Sequence, residues 1–321
     1  MRPPRFWRSG GIPPWPLPLL ARIVTAAAAR RVVRPGWTAP VPVICCGNAS
    51  AGGSGKTPLA LDLAARLLAR GYRPAFLTRG YGGSLHGPAQ IDPGRHDAAE
   101  SGDEAQLLAR IAPTFIGADR AASARLAVAN GADVLVMDDG LQNPGLAKTL
   151  SLLVIDGGAG FGNGHVMPAG PLREPVASAA SRCRAAVLIG DGDGINISLA
   201  LLPVLRAWIV ADPQALANLP VRLLAFAGIG RPEKFFDTLR RSGRAPLDTA
   251  AFADHHRYRD IEIVRLRERA SALDATLVTT EKDFARLSKP MRAGIATLPI
   301  ALRWDDPAAI EAILTEALAS A

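Results

Sequence analysis

Residues 41–57 read Val-Pro-Val-Ile-Cys-Cys-Gly-Asn-Ala-Ser-Ala-Gly-Gly-Ser-Gly-Lys-Thr, and this stretch indicates the fold class of the chain. Its first six residues form a short apolar run typical of a buried strand, and apolar residues recur at helical spacing from the end of the stretch to Gly71. Strand, glycine-rich loop and helix form the context of a phosphate-binding loop, because backbone N–H groups and the helix N-terminus then face the phosphates together. The stretch therefore predicts a nucleotide site in an α/β protein.

The glycine-rich loop departs from the common pattern G-x-x-x-x-G-K-[ST] at one position, where Ser50 replaces glycine. We expect Lys56 to reach the β- and γ-phosphates of ATP and the Thr57 hydroxyl to bind Mg²⁺. The partitioning and metal-delivery ATPases carry lysine at the position of Ala51, so this chain is not expected to belong to them. The predicted nucleotide-binding residues are Ser50, Ala51, Gly52, Gly53, Ser54, Gly55, Lys56 and Thr57.

Composition limits the partners of the chain. Its 321 residues include 37 Lys and Arg against 29 Asp and Glu, a net charge of +8, and 49% are hydrophobic, which excludes a largely disordered protein. A pI near 10.0 favours an anionic partner. Aromatic residues make up only 5% and are not interleaved with arginines, so we expect no nucleic-acid partner. The 3 cysteines, two of them adjacent, predict a reducing compartment.

Residues 1–35 differ in composition from the rest of the chain. An apolar stretch is flanked by arginines on both sides, but Arg22 and the prolines between 13 and 18 interrupt it, so a membrane span is not expected. The features of a signal peptide are loosely present, but export is not expected because the phosphate loop that follows uses a nucleotide of the cytoplasm. A short helix near 17–31 that lies on an anionic leaflet fits better. A helix packed on the protein's own surface remains the alternative.

A second apolar run, residues 132–137, ends in Asp138 and Asp139. An acid at the carboxyl end of a parallel strand can hold Mg²⁺ opposite a phosphate loop. A single Asp there could be a turn former, but two adjacent carboxylates repel each other and indicate a positive partner.

Other polar motifs have two interpretations each. Ser101-Gly-Asp-Glu104 precedes a helical run, so Ser101 and Glu104 could form a capping box. Residues 280–283 match another helix start, and Asp254-His255-His256 could be a polar loop. Arg79 follows a strand, where it could meet a phosphate or simply lie on the surface.

Taken in order, these motifs resemble the tetraacyldisaccharide 4′-kinases of lipid A synthesis. The resemblance extends over nearly the whole chain, and it also explains Ser50, since the family carries Ser or Thr there; Leu141 stands where the family commonly has Phe. The matching stretches are Phe6-Trp7, the loop 47–58, Thr78-Arg-Gly-Tyr-Gly82, Gly102-Asp-Glu104, Asp138-Asp-Gly-Leu-Gln142, Pro168-Ala-Gly-Pro-Leu-Arg-Glu174, Asp254-His-His256 and Thr279-Thr-Glu-Lys-Asp283.

The resemblance implies roles for individual residues. It implies that Asp103 is the general base and that His255 pairs with it, while Lys56 acts on the phosphates. By the same resemblance the magnesium or active-site ligands are Thr57, Asp138, Asp139 and Glu104. Arg79 and Arg173 become candidates for holding the phosphate or sugar of the substrate.

The implied activity is ATP-dependent phosphorylation of the 4′-hydroxyl of a tetraacyldisaccharide 1-phosphate, with Mg²⁺ as cofactor. The implied location is the cytoplasmic face of the inner membrane, where the protein would be peripheral. Two other classes stay open: a regulatory or chaperone-like P-loop NTPase, and a membrane scaffold whose nucleotide site only stabilises the fold.

The pattern of strands and helices predicts a P-loop NTPase-like, doubly wound, mostly parallel sheet with a second, smaller α/β lobe. We expect an amino-terminal segment at 1–35, a kinase core at 36–195 and a second lobe at 196–321, joined at the glycine-rich stretch 190–194. The strands near 204–210 and 295–301 and the helix 307–319 are assigned to the second lobe. The cleft between the lobes would bring His255 to the phosphate loop.

Overall fold

A large mixed sheet forms the centre of the protein. The computed structural model describes residues 4–8, 10–32, 36–192 and 202–319, with the backbone alone at 31 and 32. Within these ranges nine strands pair in the order β13-β8-β7-β6-β1-β5-β2-β4-β3. They are β1 (Val43–Gly47), β2 (Pro74–Thr78), β3 (Ala89–Ile91), β4 (Thr114–Ile116), β5 (Val134–Asp138), β6 (Leu150–Asp156), β7 (Ala185–Ile189), β8 (Val204–Ala211) and β13 (Ile300–Trp304). All pairs are parallel except the two at the edges, β13 with β8 and β3 with β4.

Helices cover both faces of this sheet, as the apolar runs predict. Alternate residues of β1 point to opposite faces: Ile44 and Cys46 join one core cluster, and Val43 and Cys45 join the other. The helices of this part are α1 (Leu17–Val32), α2 (Lys56–Ala69), α3 (Ala98–Ser101), α4 (Asp103–Leu108), α5 (Arg120–Ala129), α6 (Val176–Ala180) and α11 (Pro307–Ala319). The doubly wound, mostly parallel α/β architecture predicted from the sequence is confirmed.

A smaller parallel sheet forms the second lobe. Its strands are β9 (Leu223–Ala227), β10 (Asp248–Ala251), β11 (Thr276–Thr279) and β12 (Ile295–Thr297), in the order β10-β9-β11-β12. Its helices are α7 (Pro213–Ala217), α8 (Pro232–Arg241), α9 (Asp260–Ala272) and α10 (Glu281–Arg286). Phe235, Phe236 and Leu239 of α8 cover one face, and Ile263 and Leu266 of α9 cover the other.

The division between the lobes differs from the one expected at 195. Strand β8 pairs with β7, β13 pairs with β8, and Ile310 and Leu314 of α11 pack in the core of the large sheet. These elements therefore belong to the large sheet, because their apolar side chains complete its core, and the second lobe lies between them in sequence. Residues 193–195, which include part of the expected linker and the boundary itself, lie outside the described residues.

The capping box expected at Ser101 and Glu104 is not formed by these residues. The capping box forms at Asp97 and Glu100, one helix earlier than expected. Ser101 lies at the end of α3, where its hydroxyl donates to the Asp97 carbonyl, and Gly102 precedes α4. Ser101 and Glu104 therefore form no cap. By contrast, Thr280 caps α10 by accepting a hydrogen bond from the Asp283 amide at 3.1 Å, as its motif predicts.

The amino-terminal helix α1 lies against the large lobe with few buried residues, of which Ala21 is one. In the parts of the chain that the structure describes, none of the helices combines the length and hydropathy needed to cross a bilayer.

Candidate active site

The glycine-rich loop leaves β1 and enters α2 at the carboxyl edge of the large sheet. Gly55 precedes α2 with a φ of 96°, a left-handed conformation that favours glycine, and a Cβ there would approach Ile189 Cδ1 to 2.6 Å. Inside the loop, Asn48 Nδ2 donates to Ser54 Oγ at 3.0 Å. The loop therefore has a fixed shape at the start of a helix, where an anion binds favourably.

A second segment supports the phosphate loop from outside. The Ala51 amide donates to the Pro171 carbonyl at 2.7 Å, and the Arg173 amide donates to the Ala49 carbonyl at 2.7 Å. Gln142 Nε2 donates both to the Asn48 carbonyl and to Glu174 Oε1, each at 2.8 Å. The stretches 138–142 and 168–174 are thus parts of the same site as the loop, although they are far apart in sequence.

Asp138 is positioned by the pairing of β5 with β1. Its register partner is Cys46, at the end of β1, and Thr57 Oγ1 donates to Asp138 Oδ2 at 2.9 Å. Burial, with the charge of Glu104 adding to it, raises the pKa of Asp138 to about 7. The other oxygen, Oδ1, is buried and has no hydrogen-bond partner among the described residues. Such an oxygen beside a threonine hydroxyl fits Mg²⁺, which prefers hard oxygen ligands.

Asp139, its neighbour, lies between two cations. It has a φ of 56°, and its oxygens accept hydrogen bonds from Arg173 Nη1 at 2.7 Å and Nη2 at 3.0 Å. Lys56 Nζ lies 3.8 Å from Asp139 Oδ1. Burial opposes ionisation, but the charges of Lys56 and Arg173 outweigh it and lower the pKa of Asp139. The Asp139 carboxylate is placed to hold Lys56 and Arg173 in position. Asp138, by contrast, has an oxygen, Oδ1, without a hydrogen-bond partner among the described residues.

Glu104 accepts a charge-assisted hydrogen bond from Lys282 Nζ at 2.6 Å. Among the described residues, no three His, Cys, Asp or Glu side chains are arranged to hold a metal ion by themselves. Mg²⁺ commonly binds one or two carboxylates and takes its remaining ligands from phosphates and water. The four predicted ligands are therefore arranged in two ways. Thr57 and Asp138 are hydrogen-bonded to each other. Asp139 and Glu104 are each paired with cationic side chains.

Asp103 and His255 meet between the lobes. Asp103 is the first residue of α4, 95% of it is buried, and its Oδ2 lies 3.6 Å from His255 Nδ1. His255 follows β10 in the second lobe, with a φ of 55°. Non-glycine residues adopt this conformation rarely, and they concentrate at functional sites.

The charges around this pair keep Asp103 ionised. Burial alone would raise the pKa of Asp103, but His255, Arg286 and Lys282 together lower it well below its usual range. The interaction with Asp103 raises the pKa of His255. Asp103 therefore stays ionised at neutral pH, where its carboxylate can accept a hydrogen bond from a hydroxyl group.

The loop after β2 borders the same cleft. A Cβ at Gly102, which has a φ of 85°, would meet the Tyr81 carbonyl at 2.5 Å, so the loop packs closely on the start of α4. The Tyr81 ring lies edge-on to His255 with 5.8 Å between ring centroids. Arg79 is exposed, and its charge acts on Arg120, a buried arginine whose guanidinium also feels the charges of Asp139 and Asp138. The second predicted substrate residue, Arg173, is engaged by Asp139 as described above.

The sequence motifs did not identify Lys282 and Arg286 as site residues. Lys282 lies within the motif 279–283, and Arg286 follows that motif closely. Lys282 binds Glu104, and Arg286 binds Asp103, so one helix of the second lobe meets two successive carboxylates of the large lobe. The signal was present in the spacing, because residues i and i+4 lie on the same face of a helix. The carboxylates that they meet could not be identified from spacing within one helix.

Comparison with known proteins gives consistent results over the whole chain. The family model described as tetraacyldisaccharide-1-P 4′-kinase matches residues 14–319. A tetraacyldisaccharide 4′-kinase of Gluconacetobacter diazotrophicus is 56% identical over 321 residues, covering 98% of this chain and 97% of that protein. One of Rhodospirillum centenum is 50% identical over 330 residues, covering 99% of this chain and 97% of that protein.

The fold also matches a solved structure. A crystal structure of LpxK from Aquifex aeolicus in complex with ATP superposes with a TM-score of 0.75 and 22% identity, covering 94% of this chain and 98% of that one. At this identity the likeness shows the shared fold.

Proposed function

The chain belongs to the tetraacyldisaccharide-1-P 4′-kinase family, and on that premise we propose which of its residues carry out the reaction. The protein is an ATP-dependent phosphotransferase of lipid A biosynthesis, and it phosphorylates the 4′-hydroxyl of a tetraacyldisaccharide 1-phosphate. In this reaction the bond between the γ-phosphorus of ATP and its bridging oxygen breaks, and a bond from the 4′-oxygen to that phosphorus forms. The residues must therefore hold ATP, remove one proton and bind a lipid.

The nucleotide end of the site consists of the loop 50–57. Lys56 neutralises charge on the β- and γ-phosphates, and Asp139 holds its ammonium group in place from 3.8 Å away. Mg²⁺, when bound beside Thr57 and Asp138, supplies positive charge to the transferring phosphoryl group. The unpartnered Oδ1 of Asp138 supports this assignment, and Glu104 stays close enough to raise the pKa of Asp138.

The acceptor end consists of Asp103 and His255. The 4′-hydroxyl is a poor nucleophile until its proton can leave, and an ionised carboxylate beside an imidazole accepts that proton as the phosphoryl group transfers. The observation that carries the proposal is that Asp103 and Glu104 are consecutive: Asp103 forms the pair with His255, and the charge of Glu104 acts on Asp138, the residue proposed to bind Mg²⁺. The residues proposed to act on ATP and those proposed to act on the 4′-hydroxyl therefore lie in the same cleft.

Arg79 and Arg173 are the proposed contacts of the substrate's phosphate or sugar. Arg79 is exposed at the cleft, where a cation can attract the 1-phosphate. Arg173 is already bound to Asp139 by two hydrogen bonds, so its proposed contribution includes the orientation of that carboxylate.

A membrane-borne substrate requires a site at the bilayer surface, and we propose that α1 and the residues before it provide the contact. Large apolar side chains are exposed there, including Ile12 at 87%, Trp15 at 78% and Ile23 at 67%. Arg8, Arg22 and Arg30 are exposed in the same segment and match an anionic leaflet. The proposed location is therefore the cytoplasmic face of the inner membrane, as a peripheral protein.

This segment is also attached to the active site. Trp7 Nε1 donates to the Pro168 carbonyl at 3.2 Å, and Asn163 Nδ2 donates to the Phe6 carbonyl at 2.7 Å. The loop that carries Pro168 continues to Pro171, which holds the phosphate loop. A membrane-bound amino-terminal segment would thus keep the cleft near the lipid.

One experiment tests the activity. The protein is incubated with Mg-ATP and an acylated disaccharide 1-phosphate, and mass spectrometry is expected to detect one added phosphate. The same lipid already phosphorylated at the 4′ position serves as the matched control and should gain none. ATP hydrolysis that does not depend on the lipid, with no phosphorylated lipid formed, would contradict the proposal and favour a regulatory NTPase.

A further inference from the structure

Arg286 contacts both members of the proton-accepting pair. It is the last residue of α10, and only 8% of its side chain is exposed. Its Nη2 donates to Asp103 Oδ2 and lies 3.3 Å from His255 Nδ1. The guanidinium therefore bridges a carboxylate of the large lobe and an imidazole of the second lobe.

A second group of residues fixes Arg286 from behind. Its Nη1 donates to Asp283 Oδ1 at 2.9 Å and to the Gly228 carbonyl at 2.6 Å. Asp283 is fully buried and also accepts hydrogen bonds from Tyr258 at 2.9 Å and from Thr280 at 2.7 Å. With this many partners in a buried setting, the guanidinium has one orientation, and that orientation aims Nη2 at the pair.

We propose that Arg286 is a positioning residue for phosphoryl transfer, which holds Asp103 and His255 in the proton-accepting arrangement. This inference rests on the proposed function, in which the pair removes the proton of the 4′-hydroxyl. An arginine only donates hydrogen bonds and stays charged. Its Nη2 contacts both Asp103 Oδ2 and His255 Nδ1, so the guanidinium fixes where the carboxylate and the imidazole meet.

The charged groups around Asp103 and His255 determine the direction in which removal of Arg286 shifts a pKa. Asp103 faces His255, Arg286 and Lys282. His255 faces Asp103 and Asp254, which raise its pKa, and Arg286, which lowers it. Arg286 thus opposes protonation of His255, and its removal is expected to make His255 bind a proton more tightly.

The test compares Arg286→Gln, which removes the charge, with Arg286→Lys, which keeps it. For Arg286→Gln, the acid limb of the kcat–pH profile should move to higher pH by about one unit or more. The maximal kcat should also fall, by roughly 10²-fold, because the pair is no longer aimed. For Arg286→Lys, the acid limb should stay near that of the wild type, while kcat falls by a smaller factor.

Arg292 supplies the matched control. It supports the same segment through hydrogen bonds to the Leu287 and Ala285 carbonyls at 2.9 and 3.1 Å, and it does not contact the pair. Arg292→Gln should lower the melting temperature without moving the acid limb. An acid limb for Arg286→Gln that coincides with that of Arg292→Gln would overturn the inference, and so would an equal shift for both Arg286 variants.

A second measurement keeps the inference separate from the proposed activity. The pKa of His255 is followed by NMR in the wild type, Arg286→Lys, Arg286→Gln and Arg292→Gln, with His255→Gln to assign the signal. We expect a higher pKa for His255 in Arg286→Gln alone; an unchanged value there would refute the coupling. If the wild type transferred no phosphate to the lipid, the proposed function would fail, while this titration would still decide whether Arg286 controls the pair.

Discussion

His255 Nδ1 lies 3.6 Å from Asp103 Oδ2, and the two residues come from different lobes of the protein. Asp103 begins a helix beside the large sheet, and His255 follows a strand of the small one. This pair of residues therefore forms only where the two lobes are in contact.

Replacing either residue should slow catalysis. We expect Asp103→Ala and His255→Ala each to lower kcat by roughly 10²–10⁴-fold, with little change in KM for ATP, because neither residue holds the nucleotide. The double variant should lose far less than the product of the two single effects, since coupled catalytic residues are strongly non-additive. Asp97→Ala, which removes a helix cap next to this site, should cost about 1 kcal/mol of stability and leave kcat unchanged. Fully multiplicative rate losses would contradict the pairing.

Lys56→Ala should abolish turnover while the protein stays folded. In the proposed mechanism the ammonium group neutralises the phosphates, and its loss leaves Asp139 paired with Arg173. The measurements are kcat at saturating ATP and the melting temperature, with the exposed Lys289→Ala as control. A rate near that of the wild type would show that the phosphate-loop assignment is wrong.

The ionisation of Asp138 should make stability depend on pH. Its pKa is about 7 in the folded protein against 3.8 for an aspartate in water, so folding favours the protonated form. This stabilisation is complete below the unfolded pKa and is lost as the pH rises through the folded one. The free energy of unfolding of the wild type, measured against that of Asp138→Asn, should therefore fall between pH 4 and pH 7 and level off above.

Magnesium should reverse this effect, because a bound cation favours the ionised carboxylate. Calorimetry near pH 6 in buffers of different ionisation enthalpy should detect proton release when Mg-ATP binds to the wild type. Asp138→Asn should release less. Equal proton release from both proteins would argue against Asp138 as a ligand.

Exposed apolar side chains before and in α1 should determine vesicle binding. We expect the triple variant Ile12→Ser, Trp15→Ser, Ile23→Ser to co-sediment less with anionic vesicles while it binds ATP normally. Val221→Ser with Leu247→Ser removes apolar side chains that are 74% and 51% exposed on the second lobe, and it should bind vesicles like the wild type. Salt should weaken binding, since each Lys or Arg near such a surface contributes about 1 kcal/mol. Unchanged sedimentation of the triple variant would favour a purely structural helix.

Gly47→Ala should displace the backbone that supports the site. A Cβ on Gly47 would overlap the Cβ of Leu141, which is rigidly attached to the backbone just after Asp138 and Asp139. Relief of this overlap must move one of the two backbones, and we expect a stability loss of about 1–3 kcal/mol together with weaker ATP binding. Denaturant unfolding and ATP titration check both effects, with Gly158→Ala, outside the phosphate loop, as a control because the nearest atom to its Cβ, Asp156 Oδ1, would lie 3.6 Å away.

Local features of the site were predictable from the sequence, and long-range ones were not. The phosphate loop could be recognised because strand, glycines, lysine and helix are contiguous, and Asp138 because it ends an adjacent parallel strand. The pairing of Asp103 with His255 came from family resemblance alone. Contacts such as Arg286 with Asp103 depend on how two lobes meet, and no periodicity within a single helix contains that information.

The limit between the lobes was mispredicted for a related reason. The residue patterns of β8 and β13 predict strands, but such a pattern does not indicate which sheet a strand joins. Their assignment depends on a core that α11 completes from the far end of the chain.

The second lobe is inserted into the large one, and both of its covalent connections leave from the same edge. β8 leads into the insertion, β13 leads out of it, and these strands are antiparallel neighbours, with Ala211 opposite Ile300. Because the two connections are neighbours, the other ties between the lobes are non-covalent, and they include the ion pairs of Arg286 with Asp103 and of Lys282 with Glu104. A separation of the lobes would therefore break both ion pairs at once and leave four charged side chains without these partners.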